Sequence, residues 1–391
     1  MIEKLVHGGK LYWAWVIFLI VVISIGLGAY AVQFQTGLGV TGMSRDINWG
    51  LYLATFTFFV GVAASGVMVA VPFYLHDYKE FGSILIFGEF LAVAAVLVAL
   101  LNVIVDLGYP TRIMNVILHP SPHSILFFDM VVLSSYLFVN IAIGWTAISR
   151  ERRGLPPSRV THVLAIIAIP LAVSIHTVTA FIYIGNPGKE YWQSAIVVCR
   201  FLSSAFAAGP ALLVLISLIM KKFTSFDVSD KALNSLGKVV AYAMSLNIFF
   251  FLTEIFASYY PNMPGHMAPM NYLFWGAQGV NQLSPFMWVT VVLAFVGVAL
   301  LIVPKWRHNR KTFVVGLICV FVACWIDKGI CFLITGFTPN SFGVVIDYIP
   351  TPIEIAILVG VLAVGALVLT ALYKIVVSVR EKIAQDYGLT D

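Results

Sequence analysis

FGSILIFGEFLAVAAVLVALLNVIVD, residues 81–106, runs the length of a hydrocarbon core with one internal charge, Glu89, before its closing Asp106. A helix of about 20 apolar residues spans the roughly 30 Å of lipid, and it satisfies its own backbone where no water can. Similar runs lie around it, near 12–32, 49–72, 125–148 and 160–184, and then near 196–220, 237–258, 284–303, 312–336 and 352–378. The expected fold is all-α and integral to a membrane, with about ten transmembrane helices and both termini on one side.

Composition agrees: 60% of the 391 residues are hydrophobic and 10% charged, against about 45–50% and about 25% in soluble domains. A soluble enzyme is excluded. The net charge of +5 does not mark a nucleic-acid partner, because the basic residues sit in short loops between apolar spans rather than on one soluble face. With ten spans, 18 of the 23 Lys and Arg, from Lys4 to Lys382, fall on one side. Arg45, Arg112 and Lys189 fall on the other, with Arg200 and Lys328 left within or at the edge of spans. Dropping one span would reverse every later loop and destroy this asymmetry. The positive-inside rule then puts both termini in the cytoplasm of a multi-pass protein of the cytoplasmic membrane. Residues 1–11 are too polar for a signal peptide, and the first apolar run is read as a retained span.

The long outer loops, near 33–48, 107–124, 185–195, 259–283 and 337–351, are rich in Pro, Gly, Asn and aromatics. Such backbone beside a bilayer must be satisfied by protein or water, so a docking surface is expected there. Cys199, Cys319, Cys324 and Cys331 form no CxxC pair, and of the eight histidines only His176 lies well inside a span. No iron–sulfur cluster, no haem between paired histidines and no metal site is expected on this chain.

Ionisable groups inside spans are costly and face a bundle interior or a water path. They are Glu89, Asp106, Asp129, His176, Arg200, Glu254, Asp327, Lys328 and Glu354. With the orientation above, Asp46, Asn48, Asp106, Asp129 and His176 converge on the outer side, where Arg112, His119 and His123 join them. Carboxylate, imidazole, amide and guanidinium at one depth suit the polar head of a small ligand in an apolar cleft. Each also has a plain reading: Asp46 and Asp106 as helix-end residues, Asp129 as a partner of its helix dipole, His119 and His123 as loop residues beside prolines. His176, on an apolar helix with Thr177 and Thr179 nearby, is the group best suited to trade protons near neutral pH. Adjacent positions point apart on a helix, so Asp327 and Lys328 are not expected to pair with each other. Small residues at Gly61–Gly66 and Ser203–Gly209 suggest close helix packing.

NWGLYLATFTFFVGVAASG (48–66) resembles the first conserved helix of the NrfD/polysulfide reductase C family of membrane quinone subunits. DLGYPTR (106–112) with SILFFD (124–129), IPLAVSIHTVTAF (169–181) and SSAFAAGPALL (203–213) resemble further segments of that family in the same order. Tyr109 and Phe128 depart from it, standing where the family usually has Arg and Trp. The ten-span form is most similar to the membrane subunit of a sulfite-reduction-associated complex of sulfate reducers, with that of a quinone reductase complex a close rival. The resemblance implies two four-helix bundles with peripheral helices, divided as 1–48, 49–184 with the quinone site, 185–336 and 337–391. It further implies menaquinone or another quinone, bound non-covalently near the outer face beside an extracytoplasmic, ferredoxin-like iron–sulfur subunit, among other membrane and cytochrome subunits. Quinone-site roles fall on His176 and Asp129, with Asn48, Arg112 and Thr179 completing the pocket; Glu89, Asp106, Glu254 and Asp327 are candidates for proton movement. The competing classes are a secondary transporter or proton channel, for which helices broken at mid-membrane in both halves are expected, and a lipid-filled anchor.

Overall fold

The computed structural model describes residues 8–224 and 228–386; Lys4 lies outside them. Among the described residues ten helices are long and apolar enough to cross a membrane: α1 Lys10–Thr36, α2 Leu51–His76, α3 Lys79–Asp106, α4 Ile125–Glu151, α5 Arg159–Ile184, α6 Ile196–Phe223, α7 Asp230–Tyr259, α8 Leu283–Ile302, α9 Arg310–Thr335 and α10 Pro352–Ile383. The rest is loop, short helical turns and a further short helix, Pro264–Trp275, between α7 and α8. Among the described residues there is no strand, only an isolated bridge between Ala277 and Val280.

The helices close two rings. In the first, α2 packs on α3 and α5, and α4 lies between α3 and α5; in the second, α6 packs on α7 and α9, and α8 between those two. The rings meet along a seam where α2 touches α6 and α9, and α5 touches α6. Outside them α1 and α10 pair with each other, and α10 leans on α3. That pair is antiparallel: Trp15 Nε1 donates to Thr370 Oγ1 at 3.1 Å, while Gly26 meets Gly360 farther along. A Cβ on Gly26 would lie 2.6 Å from the Gly360 Cα, so the backbones touch only because both are glycine. In lipid, whose tails are as apolar as leucine, such close packing carries the association that hydrophobicity supplies in water.

The two small-residue clusters meet across the seam. α2 is not continuous: an α-helix over Leu51–Val62 is broken at Ala63 and Ala64 before it resumes over Ser65–His76. Gly209 of α6 packs into that break, where a Cβ would approach Val62 O and Ser65 N to 2.9 Å. Tyr136 of α4 donates to the Ala63 carbonyl at 2.9 Å, satisfying an acceptor that the interrupted helix leaves open. α9 is irregular as well, wound as a π-helix over Ile326–Cys331 and packed there on α2. Broken or irregular helices at the seam thus occur in both halves, which the sequence pattern did not disclose.

Glu354 is not a charge adrift in the bilayer. It closes a capping box with Thr351 at the start of α10, its carboxylate accepting from Thr351 N at 2.9 Å while Glu354 N donates to Thr351 Oγ1 at 3.3 Å. The carboxylate also accepts from Gly42 N at 2.7 Å and from the Tyr348 hydroxyl at 2.8 Å. Tyr348 in turn accepts from Leu51 N at 2.7 Å. This knot ties the loop before α2 to the loop before α10 and so positions Asn48 and Trp49.

Candidate functional site

On α5 the positions 176, 179 and 183 share one face, since i, i+3 and i+7 fall in line on a helix. That face is buried, and its side chains are polar: His176, Thr179 and Tyr183. Thr179 Oγ1 donates to Asp129 Oδ1 of α4 at 2.8 Å. The Tyr183 hydroxyl shares a short hydrogen bond with Thr57 of α2. His176 is 0% exposed, and neither ring nitrogen has a hydrogen-bond partner among the described residues. Its ring meets Phe206 of α6 edge-on at 6.4 Å. Buried polar atoms are nearly always partnered, so an orphan pair on one buried imidazole is a departure that calls for an explanation.

The shallow end of this stripe reaches an aromatic floor on the charge-poor face. Trp49 stacks on Trp192 at 5.9 Å, and Tyr183 sets its ring against both, at 5.8 Å and 5.2 Å. Above them opens a cavity of about 210 Å³ lined by Asp46, Asn48, Trp49, Lys189, Trp192 and Phe337 among others. Three loops build it, those before α2, before α6 and after α9. The Lys189 ammonium lies 4.6 Å from the centre of the Phe337 ring. Burial pulls its pKa below the usual lysine value, with Asp46 opposing that shift.

The sequence-derived site is therefore brought together in part. Asp129 and Thr179 are in contact, and His176 lies one turn deeper on the same face. Asn48 lines the cavity, separated from them by Trp49 and Tyr183. Arg112 is exposed with its guanidinium 5.0 Å from the Tyr109 ring centre, and it makes no hydrogen bond or ion pair to Asp129 or His176 among the described residues. Asp46 Oδ1 accepts from Asn340 Nδ2 at 3.1 Å, and His119 and His123 are exposed in their loop. Sequence reasoning missed Tyr183, Thr57, Trp49, Trp192 and Lys189. Tyr183 was within reach of it, seven residues beyond His176 on the same helix; the tryptophans and Lys189 come from loops whose pairing no periodicity reports.

The candidates for proton movement separate into two kinds. Glu89 is buried in α3 with neither carboxylate oxygen hydrogen-bonded among the described residues. It faces the Gly66 backbone, as does Asn140 Oδ1, which is likewise without a partner. Asp106, at the end of α3, has one buried oxygen with no hydrogen-bond partner among the described residues. In the second ring, Arg200 of α6 holds both other carboxylates, Glu254 of α7 through a short bond from Nη1 and Asp327 of α9 from Nη2 at 2.7 Å. Lys328 turns away from Asp327 and donates to the Phe201 carbonyl at 3.1 Å. Among the described residues no three His, Cys, Asp or Glu side chains form a group able to hold a metal ion.

Comparison with known proteins places this architecture. The family model described as polysulphide reductase, NrfD, matches residues 39–339, well beyond the segment whose motifs carry the resemblance. A Halobacterium salinarum protein, provisionally assigned as a membrane subunit of dimethyl sulfoxide reductase, is 27% identical, covering 93% of this chain and 91% of that one. The Hdr-like menaquinol oxidoreductase integral membrane subunit of Archaeoglobus fulgidus is 26% identical over 79% of this chain and 75% of its own. The menaquinone reductase integral membrane subunit of Nitratidesulfovibrio vulgaris is 22% identical over 93% and 91%. With ten apolar helices and a family match across most of its length, the chain is a multi-pass integral membrane protein of the NrfD polysulphide reductase family.

Proposed function

We propose that this chain is the quinone-binding membrane subunit of a multi-subunit respiratory oxidoreductase. It exchanges electrons between menaquinol, or another quinol, and an extrinsic iron–sulfur subunit. The observation that carries this reading is the orphaned imidazole of His176 at the deep end of a polar stripe whose shallow end meets the Trp49–Trp192 cavity. The relatives named for menaquinol and menaquinone chemistry support it. The cavity of about 210 Å³ is smaller than the roughly 300–1,000 Å³ of pockets that enclose drug-sized ligands. It suits a ring-sized head whose prenyl tail stays in lipid.

Oxidation of one quinol releases two electrons and two protons. The electrons leave to the partner's clusters, and the protons need acceptors within the protein. In this reading Trp49 and Trp192 hold the ring, Asn48 and Lys189 supply polar contacts at the mouth, and the Tyr183–Thr57 pair begins the proton route. Asp129, held by Thr179, and then His176 continue it. Arg112 serves the docking loop rather than the ring. The basic face is cytoplasmic, the iron–sulfur, ferredoxin-like subunit docks on the charge-poor face, and further membrane and cytochrome subunits complete the complex. We assign the residues 49–184 to the quinone-handling unit and 185–336 to the second bundle. Glu89, Asp106, Glu254 and Asp327 mark a route for proton translocation, and the setting is sulfur- or sulfate-linked anaerobic respiration.

The irregular α2 and α9 favour a second reading, a transporter or proton channel without redox partners. Titrating the purified complex with a tail-less naphthoquinone separates the two through tryptophan fluorescence. Saturable quenching that is lost in Trp49→Leu is expected. Unsaturable quenching, identical in native and variant proteins, contradicts the quinone reading and favours transport.

A further inference from the structure

On the basic face, the turns between earlier spans set carboxylates beside their cations: Asp77 and Glu80 between α2 and α3, Glu151 at the end of α4, Asp230 at the start of α7. The turn between α8 and α9, PKWRHNRK at 304–311, holds Lys305, Arg307, Arg310 and Lys311 and no carboxylate. Its cations differ in what they touch. Arg307 is buried and folds back on the end of α8, where Nη1 donates to the Leu301 and Ile302 carbonyls at 2.9 Å and 3.1 Å. Arg310 lies 3.7 Å from Asp230, a carboxylate that also holds Lys221 at 3.2 Å. Lys305 and Lys311 are exposed, and their side chains make no hydrogen bond or ion pair among the described residues.

The backbone that carries them is fixed. His308 Nδ1 donates to the Pro304 carbonyl at 2.6 Å, and Asn309 caps α9 by accepting from Lys311 N at 3.0 Å. The Thr312 hydroxyl ties α9 to the Trp306 carbonyl through a short bond. A turn ordered in advance loses less entropy when it takes a ligand.

Exposed apolar side chains lead up to this turn on both spans. On α8 they are Val292, Phe295, Ala299 and Ile302, spaced by three and four along one helix face, and on α9 Val315 and Ile318. Trp306, in the turn itself, is 43% exposed. Indoles collect where lipid tails meet headgroups, and clustered Lys and Arg just beyond a span attract anionic lipid. From the bilayer outward the surface thus presents an apolar stripe, an indole and ammonium groups. A phospholipid presents tails, glycerol and phosphate in the same order.

We propose that the α8–α9 turn is a binding site for an anionic phospholipid. Lys305 and Lys311 hold its phosphate with Arg310 beside them, Trp306 packs on its glycerol region, and its tails lie along the α8 stripe. Charge selects this ligand: a zwitterionic headgroup brings a cation of its own, and a free anion or an acidic peptide has no tails for the stripe. The site is at the basic end of the second ring, on the face opposite the Trp49–Trp192 cavity, and is independent of the quinone reading.

The test titrates the full chain, purified in detergent with whatever subunits it retains and depleted of loosely held lipid. Phosphatidylglycerol, phosphatidylcholine and inorganic phosphate are the probes, with bound lipid counted by native mass spectrometry. Phosphatidylglycerol is expected to bind saturably and to raise the thermal midpoint, phosphatidylcholine to do neither, and inorganic phosphate to leave the lipid in place. The double variant Lys305→Gln with Lys311→Gln should bind phosphatidylglycerol about thirtyfold more weakly, about fivefold for each cation lost. Exchanging both lysines for arginine should keep the affinity. Arg152→Gln with Arg153→Gln, at an exposed pair after α4 on the same face, should keep it too. Native affinity in the glutamine double variant overturns the proposal. An equal loss in the Arg152 and Arg153 control does so as well, because the attraction then belongs to the whole face, and displacement by inorganic phosphate shows a free-anion site instead. Should the glutamine double variant not fold, unchanged affinity in both single variants, Lys305→Gln and Lys311→Gln, overturns it.

Discussion

The two rings spend their buried charge in opposite ways. In the first, His176 and Glu89 carry ionisable atoms with no hydrogen-bond partner among the described residues, and Asp129 has its Thr179 hydroxyl. In the second, Glu254 and Asp327 share one guanidinium, which also lies 4.6 Å from the centre of the Phe251 ring. A buried group without a partner is favoured in its neutral form and can ionise only if a ligand, water or neighbour compensates it, whereas a charge paired with its counter-charge is held ionised. On this contrast the proposed function has the first ring receive the protons of quinol, while Glu254 and Asp327 of the second take part in the proposed proton route only through the guanidinium they share; the irregular parts of α2 and α9 lie between the rings.

The comparison is broken most severely at Arg200. Arg200→Met leaves two carboxylates buried without their cation, and the expected loss is about 3–5 kcal/mol of stability, read as the thermal midpoint of the solubilised protein. A stable variant would show that Glu254 and Asp327 are not dependent on the pair. Glu354→Gln strikes the knot between loops, replacing an acceptor of several hydrogen bonds by an amide. About 1–3 kcal/mol is expected, together with weakened naphthoquinone quenching, because Asn48 and Trp49 lose their anchor.

Thr179→Val sharpens the other side of the comparison. It removes one hydroxyl from Asp129, about 1 kcal/mol, and a fall of about tenfold or less in quinol oxidation is expected with assembly unchanged. An effect as large as that of losing the imidazole would move the centre of the site from His176 to Asp129. Lys189→Gln gives the smallest effect. Because burial holds the Lys189 pKa below its ordinary value, the folded chain binds that proton more weakly than the unfolded chain. Raising the pH from neutral toward the lysine range thus relieves a small penalty in the native protein. The variant lacks that increment, and thermal midpoints of the two proteins at pH 7 and pH 9.5 measure it.

Span number and position were legible because each span is a lipid-length apolar run; the FGSILIFGEF run closes at Asp106 in the structure as in the sequence. The separation of Asp327 from Lys328 was legible for the same helical reason, and it emerges as two different partners. Glu354 was read only as a charge within a span; that Thr351 and Glu354 spell a capping box was legible too, but its other acceptor contacts come from distant loops. The interruption of α2 was hidden because GVAAS is as apolar as its neighbours, and only the approach of Gly209 and the hydroxyl of Tyr136 reveal why it is stable. Arg112 shared a depth with the site but not a direction, which loop sequence does not encode.

The claim that the first ring receives the protons of quinol oxidation is tested most directly by His176→Ala in the assembled complex, read as the rate at which quinol reduces the partner's clusters. The account predicts a loss of about a hundredfold in a complex that still assembles, with a lower thermal midpoint because removing a fully buried ring leaves a cavity. An unchanged rate would contradict it.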